Sequence, residues 1–364
     1  MNANNIIYMF FQRPVHILHG IMKMKDTILC TIVVLCVCSS TFYAQSGVTK
    51  VGTTASKFLS IDVGPRANAM GSAYVALAND VTAMYWNPAG IANIENIDML
   101  FSNTKWIADV AFNYAGAVVP LGSFGTLGVN ATFLTMDQIE RTTIESPDGT
   151  GEFVDAASYA FGLTYARKLS DQFSIGFNAK FVYEKLYNSS ASGMAFDVGA
   201  LFDTQLSGLK LGMSITNYGT KMQLEGQDFI VVHDPYPNIS GNNGSINSTL
   251  STDAYDLPLL FRLGVSMDVL QGLFGSNLIL SADALHPSDD VETVNIGGEY
   301  VFENMICLRM GYKGLFSKDS QQGMNYGGGI RLNIAGRTSM LFDYSYVSFG
   351  DLKSVHMFSV GLGI

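Results

Sequence analysis

Ten ionisable side chains lie on the polar side of segments that alternate apolar and polar residues: Lys180, Glu184, Asp197, Arg262, Asp268, Asp283, Glu299, Arg309, Arg331 and Asp343. Both signs are present in near balance. A selectivity filter concentrates one sign of charge, whereas mixed signs neutralise one another in pairs. The pattern therefore favours an internal ion-pair lattice over a selective ion pore. A second group lies upstream in a run of small residues between 64 and 93, where Arg66, Met70 and Gly71 precede Trp86-Asn87-Pro88-Ala89-Gly90. Arg66 is expected to pair with a carboxylate of the first group, such as Asp197, Asp283 or Asp343. Asn87-Pro88 reads either as a gate or as a turn that fixes this insert, and the turn is favoured. Tyr85 and Trp86 read either as the lining of an apolar pocket or as wedges.

Catalytic constellations are not visible. His233, His286 and His356 are scattered without metal-ligand spacing. Gly-Met-Ser-Ile-Thr at 212–216 lacks the second glycine of a nucleophile elbow and falls in a strand pattern. Asn-Tyr-Gly-Gly-Gly-Ile-Arg-Leu-Asn at 325–333 is not followed by a phosphate-binding lysine, and its alternation continues unbroken. We expect no enzyme, no catalytic residue, no metal and no cofactor.

The elements that must position these charges are strands. From residue 97 onward, about ten residues of alternation are followed by a break, repeatedly. In the segment 173–186, Phe173, Ile175, Phe177, Phe181 and Tyr183 share one face while Asn178, Lys180 and Glu184 take the other. About fourteen such segments occur, beginning near Ile97, Val110, Leu127, Tyr159, Phe173, Met194, Leu209, Leu259, Leu278, Val294, Ile306, Tyr326, Met340 and Phe358. Connections after odd-numbered segments include the long ones, 135–156, 219–256 and 314–324, and those after even-numbered segments are tight. Sorting of loops by parity is a property of outer-membrane barrels. The fold class is thus all-β: a transmembrane antiparallel β-barrel of about fourteen strands, its apolar face toward lipid and its charged face toward the lumen. Tyr114, Tyr183 and Trp106 read as interface girdle.

Composition agrees with this reading. Only 14% of the 364 residues are charged and mean hydropathy is +0.22, against about 25% charged in ordinary soluble domains. The net charge of −10, without basic clusters, excludes nucleic acid as a partner. Residues 22–44 read as a secretory signal peptide: Lys23 and Lys25 precede the apolar stretch 28–38, and Ala44 ends a cleavage site before Gln45. Residues 1–21 read as an over-extended start. Three of the four cysteines lie in the leader, so Cys307 remains alone and no internal disulfide forms. The organisation is then a leader, an N-terminal segment and hatch over 45–96, and a barrel over 97–364.

The insert precedes the first strand. Asp80 caps a short helix over 81–85, and Asn87 caps a second turn with Pro88 at its first position. Such short turns hold only when packed against something, which makes the segment a short helical plug in the barrel lumen. The run 66–92 resembles the N-terminal hatch of the FadL-like outer-membrane barrels, including Asn87-Pro88-Ala89. It is more similar still to the PorV/PorQ-like branch, on Arg66, Ala67, Met70, Gly71 and Ala73 and on Trp86 to Gly90. That resemblance implies a fourteen-stranded barrel in the cell outer membrane of a Gram-negative-type bacterium, in contact with outer-membrane lipid. It implies three activities. One is a protein secretion adaptor of the type IX kind, with secreted proteins and a surface attachment complex as partners. Another is passage of hydrophobic small molecules. The third is a part in removing an acyl chain from lipid A. The adaptor is the favoured expectation and the transporter the alternative, with the long loop 219–256 offered as the adaptor's contact surface.

Overall fold

The computed structural model describes residues 50–206, 208–241, 245–317, 322–335, 338–352 and 354–364. The expected signal peptide and over-extended start lie outside the described residues. Fourteen long strands follow one another: β1 Asp98–Lys105, β2 Ala111–Pro120, β3 Thr126–Thr135, β4 Ala156–Lys168, β5 Phe173–Leu186, β6 Ser189–Asp203 and β7 Leu209–Gly219. The second half comprises β8 Leu260–Asp268, β9 Ser276–Pro287, β10 Thr293–Phe302, β11 Ile306–Leu315, β12 Met324–Ala335, β13 Thr338–Ser348 and β14 Ser354–Gly363. Each pairs antiparallel with its neighbours in sequence, and β14 pairs with β1 to close the sheet. A two-residue piece, Glu225–Gly226, adds to β6 at the rim. Closure is what lipid demands, because an unpaired strand edge in hydrocarbon has no water to satisfy it. The residues just before β1 and just after β14 seal the seam: Ile97 donates its N–H to the Ile364 carbonyl (3.3 Å) and Ile364 donates to the Ile97 carbonyl (2.9 Å).

Side chains alternate across the wall. Outward positions such as Phe177, Phe181, Phe196, Leu308 and Met310 are 44–59% exposed, while their strand neighbours Asn178, Lys180, Asp197 and Arg309 are buried toward the lumen. The expected transmembrane barrel and its lumenal hatch are therefore the structure's fold. Phe196 sits at the middle of β6. We expect Phe196→Arg to cost about 2–4 kcal/mol, read as the shift in reversible urea unfolding from lipid vesicles.

Turns after even-numbered strands are tight at one end of the barrel, and the segments 136–155 and 220–259 crown the other. The N-terminal segment traverses the lumen between these ends. Thr54 bridges Asp256 at the long-loop mouth. From there the chain passes through a 3-10 turn Lys57–Ser60, helix α1 Pro65–Ala69, helix α2 Ala83–Trp86 and a 3-10 segment Pro88–Asn93, and enters β1 at the tight-turn end. Its apolar residues form the main core: Val63, Met70, Tyr74, Met84, Trp86 and Ile91 pack with Leu100, Phe112, Tyr114 and Val118 of the wall.

Candidate functional site

The hatch is built from short elements, each with a local cause. Gly64 adopts φ 84° and hands the chain to Pro65, whose fixed φ opens α1. Gly71 and Ser72, both in the left-handed region (φ 63° and 66°), turn the chain back on α1. Asp80 accepts hydrogen bonds from the Thr82 N–H (2.9 Å) and hydroxyl (2.5 Å). That bonding holds residues 80–82 in a turn, so α2 begins at Ala83 and is shorter than the helix expected over 81–85. Asn87 is extended (φ −157°) and accepts the Ala89 N–H at 3.2 Å, capping the segment that Pro88 opens. Its amide nitrogen donates to the Val75 carbonyl (2.9 Å) and to the Ala200 carbonyl of β6 (3.0 Å). Asn87 therefore ties two parts of the hatch to the wall. Trp86 donates its indole N–H to Val63 (2.9 Å) and meets Tyr85 and Tyr74 edge-on, so it wedges the hatch rather than lining a pocket.

A ladder of alternating charge crosses from the hatch into the wall. Arg66 grips Glu299 of β10 with two bonds, at 2.9 and 2.7 Å, and touches Asp80 at 3.2 Å. Glu299 accepts from Arg309 of β11 at 2.6 Å, and Arg309 reaches Asp343 of β13 at 2.5 Å. The side chains of Glu299, Arg309 and Asp343 are no more than 2% exposed. The partner of Arg66 is thus Glu299 and not Asp197, Asp283 or Asp343. Asp343 is occupied by Arg309, and Asp283 accepts the backbone N–H groups of Tyr74 (2.7 Å) and Val75 (2.8 Å). Asp197 belongs to Lys180, at 2.9 Å.

Lys180 and Asp197 form a second network on the opposite flank. The β6–β7 register shifts between Phe196 and Val198, and Asn217 adopts φ 65° there. Asp197 accepts the Asn217 N–H left over by that bulge (2.7 Å) and the Asn178 amide (2.9 Å). Arg262 of β8 lies over the Trp86 ring (5.1 Å) and the Tyr85 ring (5.6 Å) and donates to Thr216 (3.2 Å). The remaining charges stay apart. Glu184 accepts the Ser56 N–H at the long-loop mouth (3.2 Å), Asp268 caps the turn after β8, and Arg331 meets Asn304 at the tight-turn rim (3.2 Å).

The wall receives the hatch through glycines that sequence reasoning passed over. A Cβ on Gly311 would strike the backbone of Met70 and Gly71, and one on Gly176 would strike Pro88 and Ala89. Gly199 likewise leaves room for the Asn87 side chain. The signal was available, since these glycines fall on lumen-facing positions inside strands, where a missing side chain weakens a strand unless another backbone needs the space. Two girdle assignments are corrected. Tyr114 points into the lumen and donates to the Val81 carbonyl (3.2 Å), because its parity on β2 is that of the inner face. Trp106 packs on Phe349 and Phe112 beside Val347, Val355 and Met357. Tyr183 does stack outward, on Tyr159. At the tight-turn end a cavity of about 210 Å³ is lined by Arg66, Asn277, Glu299, Cys307, Arg309 and Arg331 among others. It is polar.

The mouth contact is pH-sensitive. Burial favours the neutral form of the Asp289 carboxyl, but hydrogen bonds from Lys57 (2.6 Å) and Thr54 (2.6 Å) outweigh it and hold the group below its ordinary value. A lowered folded value means the stabilisation is complete above the unfolded value, about 3.9, and is lost as pH falls through the folded one. Amide exchange at Ala55 and Ser56, corrected for intrinsic rate, should therefore quicken only below about pH 4. Asp289→Asn should bring that faster exchange to neutral pH.

Comparison with known proteins places this geometry in context. The sequence profile of an uncharacterised protein family, UPF0164, matches residues 33–197. A UPF0164 protein of Treponema pallidum is 27% identical over 184 residues, which are 46% of this chain and 54% of that protein. The matched stretch thus spans about half the length of the curated relative. Among solved structures, the Pseudomonas putida toluene transporter TodX has a TM-score of 0.51 at 11% identity, covering 83% of this chain and 97% of that one. A Pseudomonas aeruginosa FadL homologue has a TM-score of 0.49 at 13% identity, covering 83% and 98%. What is shared is the fold. It is the barrel fold of the toluene transporter, with the plug described above inside it.

Proposed function

We propose that this protein is exported by its leader at 22–44, inserts in the bacterial outer membrane and admits small hydrophobic molecules at the long-loop mouth. The observation that carries this reading is the apolar seam beneath the loops. Phe58 and Leu59 of the first hatch turn are buried against Val182, Ala195, Met222 and Leu257. That turn is pinned from the mouth, where Ala55 donates to the Asp256 carbonyl (2.9 Å) and Lys57 and Thr54 hold Asp289, and meets the deeper hatch through the Tyr85 hydroxyl, which donates to the Leu59 carbonyl (3.1 Å). A movement of the loops therefore moves a piece of hatch that covers an apolar surface. The deeper hatch, held by Arg66, Asn87 and the wall glycines, stays in place during the first step of entry. The similarity to the Pseudomonas putida toluene transporter supports the same class of solute.

The test is a mouth lock. Thr54 and Asp256 are bridge partners, close enough for a disulfide once both are cysteine and Cys307 is serine. Intact cells carrying the oxidised lock should take up radiolabelled toluene no faster than cells without the protein, and reduction should restore uptake. Equal uptake in the locked and reduced states would remove the mouth from the route.

One observation favours the secretion adaptor of the PorV/PorQ type as a second reading. The loop 220–259 carries a ribbon, Ile230–His233 paired with Ile246–Thr249, on which Ile230, Val232 and Ile246 are 41–69% exposed. Gentle detergent extraction from native membrane decides between the readings. Secreted proteins that co-purify and are lost on deletion of 230–250 support the adaptor, and extracts that hold lipid alone after crosslinking exclude it.

A further inference from the structure

The polar cavity at the tight-turn end is bordered by three guanidinium groups, Arg66 of the hatch, Arg309 of β11 and Arg331 of β12, and by one carboxylate, Glu299. Both oxygens of that carboxylate are taken: Oε1 accepts from Arg66 and Arg309, and Oε2 from Arg66. Beyond the lining, Asp80 is bonded by Arg66 and Asp343 by Arg309. Arg331 differs from the other two. Its Nη1 donates to the Asn304 side-chain oxygen (3.2 Å), and it bonds no carboxylate among the described residues. Asp98 of β1 acts on its charge from a distance without forming an ion pair. Arg309 supplies the deeper observation. Its side chain is 2% exposed, and Nε and Nη1 are spent on Glu299 and Asp343, which leaves Nη2 with no acceptor among the described residues. A buried guanidinium nitrogen is costly to leave unbonded.

Three carboxamides on the same lining complete the set. Asn79 of the hatch accepts from Arg66 at 2.7 Å through its oxygen, and its N–H groups have no acceptor among the described residues. Asn304 accepts from Arg331 in the same way and keeps its own N–H groups. It sits with Glu303 in a tight turn whose two residues both have positive φ, 48° and 54°, a conformation that asparagine tolerates well. Asn277 donates its amide to Asp268 and so keeps its carbonyl oxygen as an acceptor. Asn79 and Asn304 are exposed, so the lining is reached from the tight-turn side. The ligand must therefore be anionic, with several oxygens to accept and one proton to give. It must also be small, since about 210 Å³ falls short of the roughly 300–1,000 Å³ of pockets for drug-sized molecules.

We propose that this cavity binds inorganic phosphate in its monohydrogen form. Arg331 and Arg309 Nη2 donate to its oxygens from the wall, Asn304 donates from the turn, and Asn79 donates from the hatch. The phosphate proton goes to the Asn277 carbonyl oxygen. Sulfate and ionised carboxylates carry no such proton, so the site prefers phosphate over both. Because Asn79 belongs to the hatch and the other donors to the barrel, an occupied site fastens one to the other beside the Arg66–Glu299 pair. The site lies at the opposite end from the long-loop mouth and does not depend on what enters there.

Equilibrium dialysis of the full chain in detergent against radiolabelled phosphate, at constant ionic strength, tests this. Wild type should bind phosphate saturably, and Arg331→Ala should weaken binding by about tenfold to a hundredfold. Asn304→Gly keeps the left-handed turn and removes one amide, so it should weaken binding less. Arg167→Ala removes an exposed arginine of β4 at the same end of the barrel and should leave binding unchanged. Phosphate should also slow amide exchange at residues 77–80 in wild type and not in Arg331→Ala. Sulfate at the same concentration is the comparator, because it stabilises folded proteins without a site, and it should not produce that local slowing. A folded wild type that binds no phosphate overturns the proposal. So does binding that falls as far in Arg167→Ala as in Arg331→Ala, or sulfate that displaces phosphate on equal terms.

Discussion

Replacing Glu299 with alanine should destabilise the folded barrel by about 3–5 kcal/mol, because it leaves two buried guanidinium groups without the carboxylate between them. Arg66 and Arg309 both bond Glu299, at 2.7 and 2.6 Å, and the Glu299 side chain is 1% exposed. Removing it deprives the hatch of its bidentate anchor and places two like charges across an emptied site. Urea unfolding from vesicles reads the loss, and Arg66 contributes a second readout: exchange of the α1 amides should rise along with it. The comparator is Arg141–Glu152, a pair on the long-loop side with both side chains 53% exposed. Breaking that pair should cost about 0–1 kcal/mol. If Glu299→Ala falls in the same range as Glu152→Ala, the ladder does not hold the hatch.

The barrel was legible because strand alternation is a period-two signal that survives without tertiary information. Phe173 to Tyr183 sort onto one face by sequence alone, and the closed sheet places them there. Loop parity sorted the connections, and the long segments 136–155 and 220–259 do share one end of the barrel. The charge lattice was legible in kind but not in its pairings. Nothing local links Arg66 to Glu299, 233 positions away, and the choice among carboxylates depends on which strands lie beside α1 in the closed cylinder. Tyr114 and Trp106 were misassigned for a related reason: an aromatic near a strand end suits a girdle, but parity on β2 and the fold of the connection after β1 turn these two inward. The wall glycines carried a signal that the helical insert explains only once both are seen together. A glycine such as Gly311 marks a close approach, yet what approaches it, the backbone of Met70 and Gly71, comes from another part of the chain.

Deleting residues 64–93 should convert a closed barrel into an open one. Within the closed sheet every long strand already has both neighbours, so the wall does not depend on the hatch for its hydrogen bonds. The lumen does depend on it for filling: Met70, Tyr74, Met84 and Trp86 are fully buried there. Water entering after deletion resolvates the charges that the hatch had desolvated. At the waist these are Lys180, Arg262 and Arg309 against Asp197, Asp283, Glu299 and Asp343, three positive and four negative, all buried in the plugged state. A ring so nearly balanced passes ions of both signs, in contrast to filters lined by one sign. Planar-bilayer recordings should therefore show large, weakly cation-preferring steps for the deletion and none for the intact chain. Gly311→Val is the point-mutation counterpart, since its side chain occupies the space of the Met70–Gly71 backbone, and it should give the same steps intermittently. A deletion variant that migrates as a folded barrel yet stays electrically silent would mean that another segment closes the lumen and that the hatch is not its barrier.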